Sequence, residues 1–260
     1  MSNRIITLTT DFGYKDPFAA EMKGVILSID PQAVIVDITH SIRPQDIEET
    51  AYVIGSSFTY FPSGTIHIVV VDPGVGSGRK ALILDAGGHY FVGPDNGVFS
   101  HILCSAQPVK GVHITEERYM RSKESPTFQG RDLFAPAGAW LSKGLKPGEF
   151  GPSVKDFVTF PVPRPEVTRG GVSGEVIYID SFANVITNIK GADLASFDSL
   201  YVVEINSIII QPVKYYAQAG DDKFCCLVNS SGYLELFVNK GKAAEKYGIK
   251  KGDKVLVRFI

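Results

Sequence analysis

Carboxylates and glycines gather at three places in the first half of the chain, and each place suits the grip of a small polar ligand. They are Asp11-Phe-Gly-Tyr-Lys-Asp16, the Asp37-Ile-Thr-His40 segment, and Asp72-Pro-Gly-Val-Gly-Ser-Gly-Arg79. The last of these, with Gly74, Gly76 and Gly78, invites a phosphate-cradling role. Its spacing is G-x-G-x-G, no glycine lies five residues before Gly78, and no Ser or Thr follows Lys80. Neither the dinucleotide fingerprint nor the P-loop pattern is met. A loop that opens with Asp72 and closes with Arg79 suits an ion pair across a small ligand. It equally suits a β-hairpin closed by a salt bridge, and spacing alone leaves both open. Asp16 is likewise either a ligand or a helix cap.

The second half offers Asp180-Ser-Phe-Ala-Asn184 and Asn229-Ser-Ser-Gly232, which by composition are also good turns. His40, His67, His89, His101 and His113 are scattered without metal-ligand spacing and read as ordinary structure, with no metal. No Gly-x-Ser-x-Gly elbow occurs, so a serine hydrolase is not indicated.

Elements that must position these residues follow from periodicity. Residues 4–10 and 33–39 read as strands, and 65–71 as a nearly all-apolar strand covered on both faces. Asp16-Pro17 makes a helix start, with Asp at the cap and Pro at the first position, followed by Phe18, Met22, Val25, Ile26 and Ile29 at helical spacing. A second helix is predicted over 46–57 and a third over 132–142, with a strand pair at 80–86 and 90–92. Strand–helix–strand order with short connections predicts a mainly parallel α/β sheet. In such sheets ligands bind beyond the carboxyl ends of the strands. If the strands are neighbours, Asp11, Asp16 and Asp72 line one crevice.

Pro161, Pro163 and Pro165 form a stiff linker, giving an α/β domain over 1–160, a linker over 161–170 and a second domain over 171–260. The second domain carries short Val-, Ile-, Tyr- and Phe-rich strands at 174–180, 185–189, 200–204, 208–213, 224–228, 233–238 and 254–259, with one short helix at 242–247. That pattern suggests a small β-barrel or sandwich.

Composition excludes several classes. The chain has 260 residues, 44% apolar and 21% charged, with a formal net charge of -2. No basic excess is present to drive binding to a phosphate backbone, so nucleic acid is not expected as a partner. No apolar run approaches the roughly 20 residues that span a bilayer, and the N-terminus enters a strand pattern at once. Cys104, Cys225 and Cys226 suggest neither a disulfide framework nor a zinc site. A cytoplasmic protein is the natural expectation.

Eight segments, taken in order, resemble the S-adenosylmethionine hydroxide adenosyltransferase family, which is related to the fluorinases and chlorinases. They are Thr10-Asp-Phe-Gly13, Asp37-Ile-Thr-His40, Pro44-Gln-Asp46, Val71-Asp-Pro-Gly-Val-Gly76 with Arg79, Gly93-Pro-Asp-Asn-Gly97, Gly130-Arg-Asp-Leu-Phe-Ala-Pro136, Asp180-x-Phe-x-Asn184 and Asn229-Ser-Ser-Gly-Tyr233. The resemblance implies an N-terminal α/β domain and a C-terminal β-barrel, in a homotrimer whose sites lie between one chain and its neighbour. It implies hydrolysis of S-adenosylmethionine at ribose C5′ to adenosine and methionine, without metal or second cofactor. Asp11 then holds the ribose hydroxyls, Asp16 and Asp180 face the methionine amino group, and Ser230 faces the carboxylate. Phe182, Asn184 and Tyr216 surround the adenine.

Asp72 and Arg79 match two members of the family's Asp-Arg-His group around the attacking water. The third position here is Gln129. A glutamine can hold a water but cannot take its proton. If the histidine is a base, this chain is slow; if it only orients the water, Gln129 substitutes for it. Binding without turnover therefore remains an alternative. A halogenase is disfavoured, because Asp72 is an anion where halide should bind.

Overall fold

All five residues of one central strand, Ile66–Val70, are buried, and their side chains alternate between two cores. Ile66, Ile68 and Val70 face one core, Val69 and the following Val71 the other. A strand with two apolar faces needs a layer on each, because alternate side chains point to opposite sides of a sheet. The computed structural model, which describes residues 5–121, 127–195 and 201–259, shows that arrangement. Arg4 and Leu200, each read as a strand end, lie outside the described residues.

The chain divides into two compact units, Met1–Val162 and Pro163–Ile260. In the first, β1 (Ile5–Thr10), α1 (Phe18–Ile29), β2 (Val34–Thr39), α2 (Ile47–Ser57), β3 (Ile66–Val70), β4 (Ala81–Ala86), β5 (His89–Pro94), α3 (Ser100–Ser105), β6 (Val109–His113), α4 (Ala135–Ser142) and β7 (Ser153–Val154) follow in order. The sheet order is β2-β1-β3-β5-β4-β6-β7. Strands β2, β1, β3 and β5 are mutually parallel, whereas β4 returns antiparallel to both β5 and β6. The sheet is thus mixed, and its parallel part carries the crossovers through α1 and α2. Met22, Val25 and Ile26 of α1 and Leu141 of α4 cover one face, and Ile54 of α2 and Ile102 of α3 cover the other.

Local start signals are realised unevenly. Asp46 caps α2 by accepting from the Glu49 amide at 2.8 Å. Helix α1 begins at Phe18, with Pro17 in the cap position and no side-chain cap bond. The Asp16 carboxylate therefore does not cap the helix. The predicted helix over 132–142 is α4 preceded by a π-helical turn, Gly130–Phe134.

His67 and His89 form a buried pair on β3 and β5. His67 Nδ1 lies 2.8 Å from Thr7 Oγ1, and its Nε2 lies 3.2 Å from His89 Nδ1. Burial, with the neighbouring His89 adding to it, pushes the His67 imidazole down to about 3 from 6.5. The unfolded chain takes up a proton near its ordinary value while the native state refuses it. Stability therefore rises with pH through this window and is lost as pH falls from about 6.5 to about 3, by ~3–5 kcal/mol at 1.4 kcal/mol per unit. Denaturant midpoints measured across that range should show a shallower pH slope for His67→Gln than for the parent; equal slopes would contradict the assignment.

The second unit comprises β8 (Glu166–Thr168), β9 (Gly171–Ile179), β10 (Val185–Lys190), α5 (Gly191–Ala195), β11 (Tyr201–Ile205), β12 (Ile208–Pro212), β13 (Phe224–Val228), β14 (Tyr233–Val238), α6 (Ala243–Tyr247) and β15 (Lys254–Phe259). The order β10-β14-β13-β12-β11-β15-β9 closes through a β9–β10 pairing, giving a seven-stranded barrel with β8 added outside on β9. Strand β8 follows the last of the three prolines, inside the stretch 161–170 read as a linker. Inward residues such as Val172, Val203, Leu234, Leu236, Val255 and Val257 fill the barrel, as befits a ring this narrow.

Candidate active site

Parallel pairing of β1 and β3 puts Thr10 opposite Val70, so the loops that follow both strands leave the same edge of the sheet. Asp11 and Asp72 lie in these two loops. The 72–79 loop is tight: the Val75 amide donates to the Asp72 carbonyl, the Ser77 amide to the Gly74 carbonyl, and Gly76 takes φ +82°. That positive φ is favoured by glycine. At the base of the loop the Asn96 amide group holds the Val71 carbonyl at 3.0 Å. Gly93 is required nearby, because a Cβ there would come within 2.4 Å of the Val69 carbonyl oxygen.

Arg79 turns back over this loop. Its Nε donates to both Asp72 carboxylate oxygens at 3.0 Å, and its Nη2 also donates to Oδ2. The same Nη2 donates to Gln129 Oε1 at 2.5 Å, and Nη1 donates to the Lys80 carbonyl at 3.2 Å. The guanidinium lies 5.3 Å from the centroid of the Phe134 ring. Asp72 and Arg79 side chains are only 5% and 10% exposed. A planar five-donor group tied at this many points is a rigid mount, and it joins Asp72 to a residue 50 positions later in the chain.

Gln129 precedes the π-helical turn and Phe134 ends it. Extra-wide turns of this kind are frequent at functional sites. Here the turn is braced by Arg131, which pairs bidentately with Asp132 at 2.8 Å and reaches Glu21 of α1 at 3.0 Å. Gly130 fits beneath it, where a Cβ would stand 3.0 Å from the Phe128 ring and 3.3 Å from the Met22 sulfur.

The loop bearing Asp11 is set by residues from two later segments. The Gln45 amide donates to Asp11 Oδ2 at 2.8 Å from a left-handed conformation, φ +67°. Buried His40 holds the Thr10 hydroxyl through Nδ1 at 2.7 Å, and its carbonyl accepts from the Gly13 amide at 2.7 Å. Behind it lie Asp37 and Lys23. Burial pushes the Asp37 carboxyl up, but the Lys23 hydrogen bond and His40 outweigh it and hold the carboxyl below its usual value. Burial in turn pushes the His40 imidazole down, against the opposing pull of Asp37. Asp16 stands on the exposed stretch before α1.

In the barrel unit, Asp180 organises its own turn. Its Oδ1 accepts from the Phe182 and Asn184 amides at 2.9 and 2.8 Å, and Oδ2 accepts from Asn184 Nδ2 at 3.2 Å. Phe182 projects from the crest of that turn, 73% exposed. Tyr216 packs edge-on to Phe237 and donates its hydroxyl to Glu235 at 2.7 Å. Ser230 sits exposed beside Asn229, whose Oδ1 accepts from the Ser231 and Tyr233 amides. Asp180 is near enough for its charge to hinder the ionisation of both Tyr216 and Glu235, adding to the burial that pushes each group up. The barrel thus gathers Asp180, Asn184, Tyr216 and the 229–232 turn on one patch, and the α/β unit gathers Asp11, Asp72, Arg79 and Gln129 at one sheet edge.

Sequence reasoning missed Glu235, gave no individual role to Asn96 or Phe134 within their quoted segments, and treated His40 as ordinary structure. A signal for Glu235 existed: it is a lone charge inside the apolar strand Tyr233-Leu-Glu-Leu-Phe-Val238. Among the described residues no group of three or more His, Cys, Asp or Glu side chains could hold a metal ion.

Comparison with known proteins covers nearly the whole chain. Residues 6–151 match the SAM hydroxide adenosyltransferase N-terminal domain and residues 174–256 its C-terminal domain. The chain is 33% identical over 255 residues to the (R)-S-adenosyl-L-methionine hydrolase of Salinispora tropica, covering 97% of each. It is 28% identical over 290 residues to a fluorinase of an Actinoplanes species, covering 98% of this chain and 97% of that one. Among solved structures, an uncharacterized conserved protein from Thermotoga maritima superposes with a TM-score of 0.92 at 31% identity, covering 97% of this chain and 99% of that one.

Proposed function

Because the chain belongs to the SAM hydroxide adenosyltransferase family, we infer that it hydrolyses S-adenosyl-L-methionine at ribose C5′ to adenosine and L-methionine. The observation that carries the mechanism is the Asp72–Arg79–Gln129 chain of hydrogen bonds. Water attacks C5′ in line with the C–S bond; the new C–O bond forms as the C–S pair withdraws onto sulfur and one water proton is released. The sulfonium is already an activated leaving group, so no cofactor is required.

The protein's task is to hold the water behind C5′. Asp72 accepts a hydrogen bond from it and sets its direction. Arg79 holds Asp72 in place. Gln129 spends its carbonyl oxygen on Arg79, which leaves its NH2 group to donate to the water oxygen. No residue of this trio need carry the proton away.

The remaining assignments concern binding. Asp11 takes the ribose diol, since a carboxylate accepts from two hydroxyls. Asp16, relieved of any capping role, and Asp180 take the methionine ammonium, and Ser230 takes the carboxylate. Phe182, Asn184 and Tyr216 take the adenine, with aromatic faces against the flat base. Binding groups occur in both units, which supports a homotrimer in which each site is shared between neighbouring chains. Three free thiols favour a cytoplasmic setting; no helix among the described residues is long and apolar enough to cross a membrane.

The test is to incubate the purified protein with S-adenosylmethionine and follow adenosine and methionine by chromatography. Equal amounts of both should accumulate. Adenosine no faster than with Asp72→Ala overturns the reading.

A further inference from the structure

Strand β14 alternates as a barrel strand should: Leu234, Leu236 and Val238 point into the core. Glu235 therefore belongs to the outer face, where a glutamate is ordinarily solvated. Here it is 4% exposed. Phe237, two residues on, is buried on the same face against Val213, Ala219, Cys225 and Leu227. The 213–219 segment folds over the outside of the barrel, and Tyr216 covers Glu235.

The carboxylate beneath this cover has two hydrogen-bond partners. Oε1 accepts from the Tyr216 hydroxyl at 2.7 Å and Oε2 accepts from Asn229 Nδ2 at 3.1 Å. Among the described residues no cation pairs with it. A carboxylate is an acceptor only, so each neighbour is forced to donate. For Asn229 the consequence is directional. With its NH2 group on Glu235, its oxygen must face the other way, where it accepts from the Ser231 and Tyr233 amides at 3.0 and 3.1 Å. The flip of one amide thereby sets the turn that carries Ser230, and the same carboxylate sets the ring of Tyr216.

We propose that Glu235 is a positioning residue for substrate binding, holding the adenine-facing Tyr216 and the carboxylate-facing 229–232 turn in one fixed relation. The proposal rests on the reading of this patch as a binding surface for S-adenosylmethionine. Burial pushes the Glu235 carboxyl up, the Tyr216 and Asn229 bonds pull it down, and the Asp180 charge pushes it up again. An anion kept in so unfavourable a place is a poor device for stability alone.

A polarity swap tests it. In Glu235→Gln one of the two acceptors becomes a donor, so either its NH2 group meets the NH2 group of Asn229, or it turns to the Tyr216 hydroxyl and that hydroxyl must reverse its donation; either way one of the two fixed bonds is lost. In Asn229→Asp two carboxylates meet. Each single change should raise KM for S-adenosylmethionine about 10-fold or more while kcat stays within about 3-fold. The double variant Asn229→Asp/Glu235→Gln restores every donor–acceptor pair at the same net charge, and its KM should return to within about 3-fold of the parent. An unchanged KM in Glu235→Gln, or a folded double variant as impaired as the singles, overturns the proposal. If the swap lowers the melting temperature, the pair Glu235→Gln and Tyr216→Phe carries the test: KM effects that multiply overturn it, and effects that overlap support it. Adenosine formation by the parent separately tests the hydrolase reading; should there be none, dissociation constants from calorimetry replace KM in the same cycle.

Discussion

Arg79→Met is expected to lower the rate of adenosine formation by at least ~10³-fold and to destabilise the α/β unit by about 3–5 kcal/mol. Both effects follow from one geometry. Arg79 is the donor for the Asp72 carboxylate and for Gln129 Oε1, so its loss frees two groups at once. Asp72 becomes a carboxylate only 5% exposed with its cation gone, and removing one partner of a buried pair costs more than the pair was worth. Gln129 loses the bond that fixes its amide, and in the proposed mechanism the water loses both of its guides. Arg79→Lys should recover charge but little activity, because an ammonium is a point charge and cannot fork across Asp72 while reaching Gln129. Turnover together with denaturant unfolding checks the prediction; activity within 10-fold of the parent, in a folded Arg79→Met protein, would sink it.

The second large effect concerns Gln129. Gln129→Leu keeps the volume but removes an acceptor from Arg79 and a donor from the water, and should cost about 10²–10³-fold in turnover. Gln129→His is the informative change. Against Arg79 a neutral imidazole must accept with one nitrogen, since the guanidinium has no lone pair to offer. Its other nitrogen then carries the proton and donates, as the glutamine NH2 does. Histidine so held is a water-orienting donor rather than a base, and Gln129→His should change the rate by less than ~10-fold, where gain or loss of a true general base is worth ~10²–10⁴. The pH dependence separates the two residues. A protonated imidazole turns a donor toward Arg79, so the histidine variant should lose activity as pH falls through the imidazole's titration, while the parent, with an amide that does not titrate, holds its activity there. A hundredfold faster Gln129→His enzyme would show that the parent lacks a base.

The elements themselves were well signalled wherever the pattern is local. The strands on the parallel side, both long helices of the first crossovers and the barrel strands all follow from runs of Val, Ile and Leu at period 2 or 3.6. The start of α1 was read one residue early because Asp-Pro is a strong cap signal, yet Pro17 takes the cap itself and leaves Asp16 outside. The pairing of β4 with β5 is legible but its direction is not, because direction depends on where the chain turns rather than on which residues face the core; β6 is not legible as a strand at all, since Val109-Lys-Gly-Val-His113 carries only two apolar side chains. The π-helical turn before α4 is also invisible in the sequence, since its residues fit an α-helical pattern.

The same division runs through the site. From sequence alone came the inventory: Asp11, Asp72 and Arg79 in loops that follow strands, a glutamine before Gly130-Arg-Asp132, and polar turns at 180–184 and 229–232. These are local facts, carried by residue type and by the strand or turn on either side. Tertiary structure alone decided how the inventory is connected. It brought Gln129 onto Arg79 from 50 residues away, and thereby settled which end of its amide remains free. It put buried His40 behind Thr10 and so behind Asp11, and it closed a segment over Glu235 to make a buried hub of an outer-face glutamate. Hydrogen bonds between distant segments are specified by where whole sheets and helices come to rest. A local pattern names the donors and acceptors, and the packing of the fold decides which of them meet.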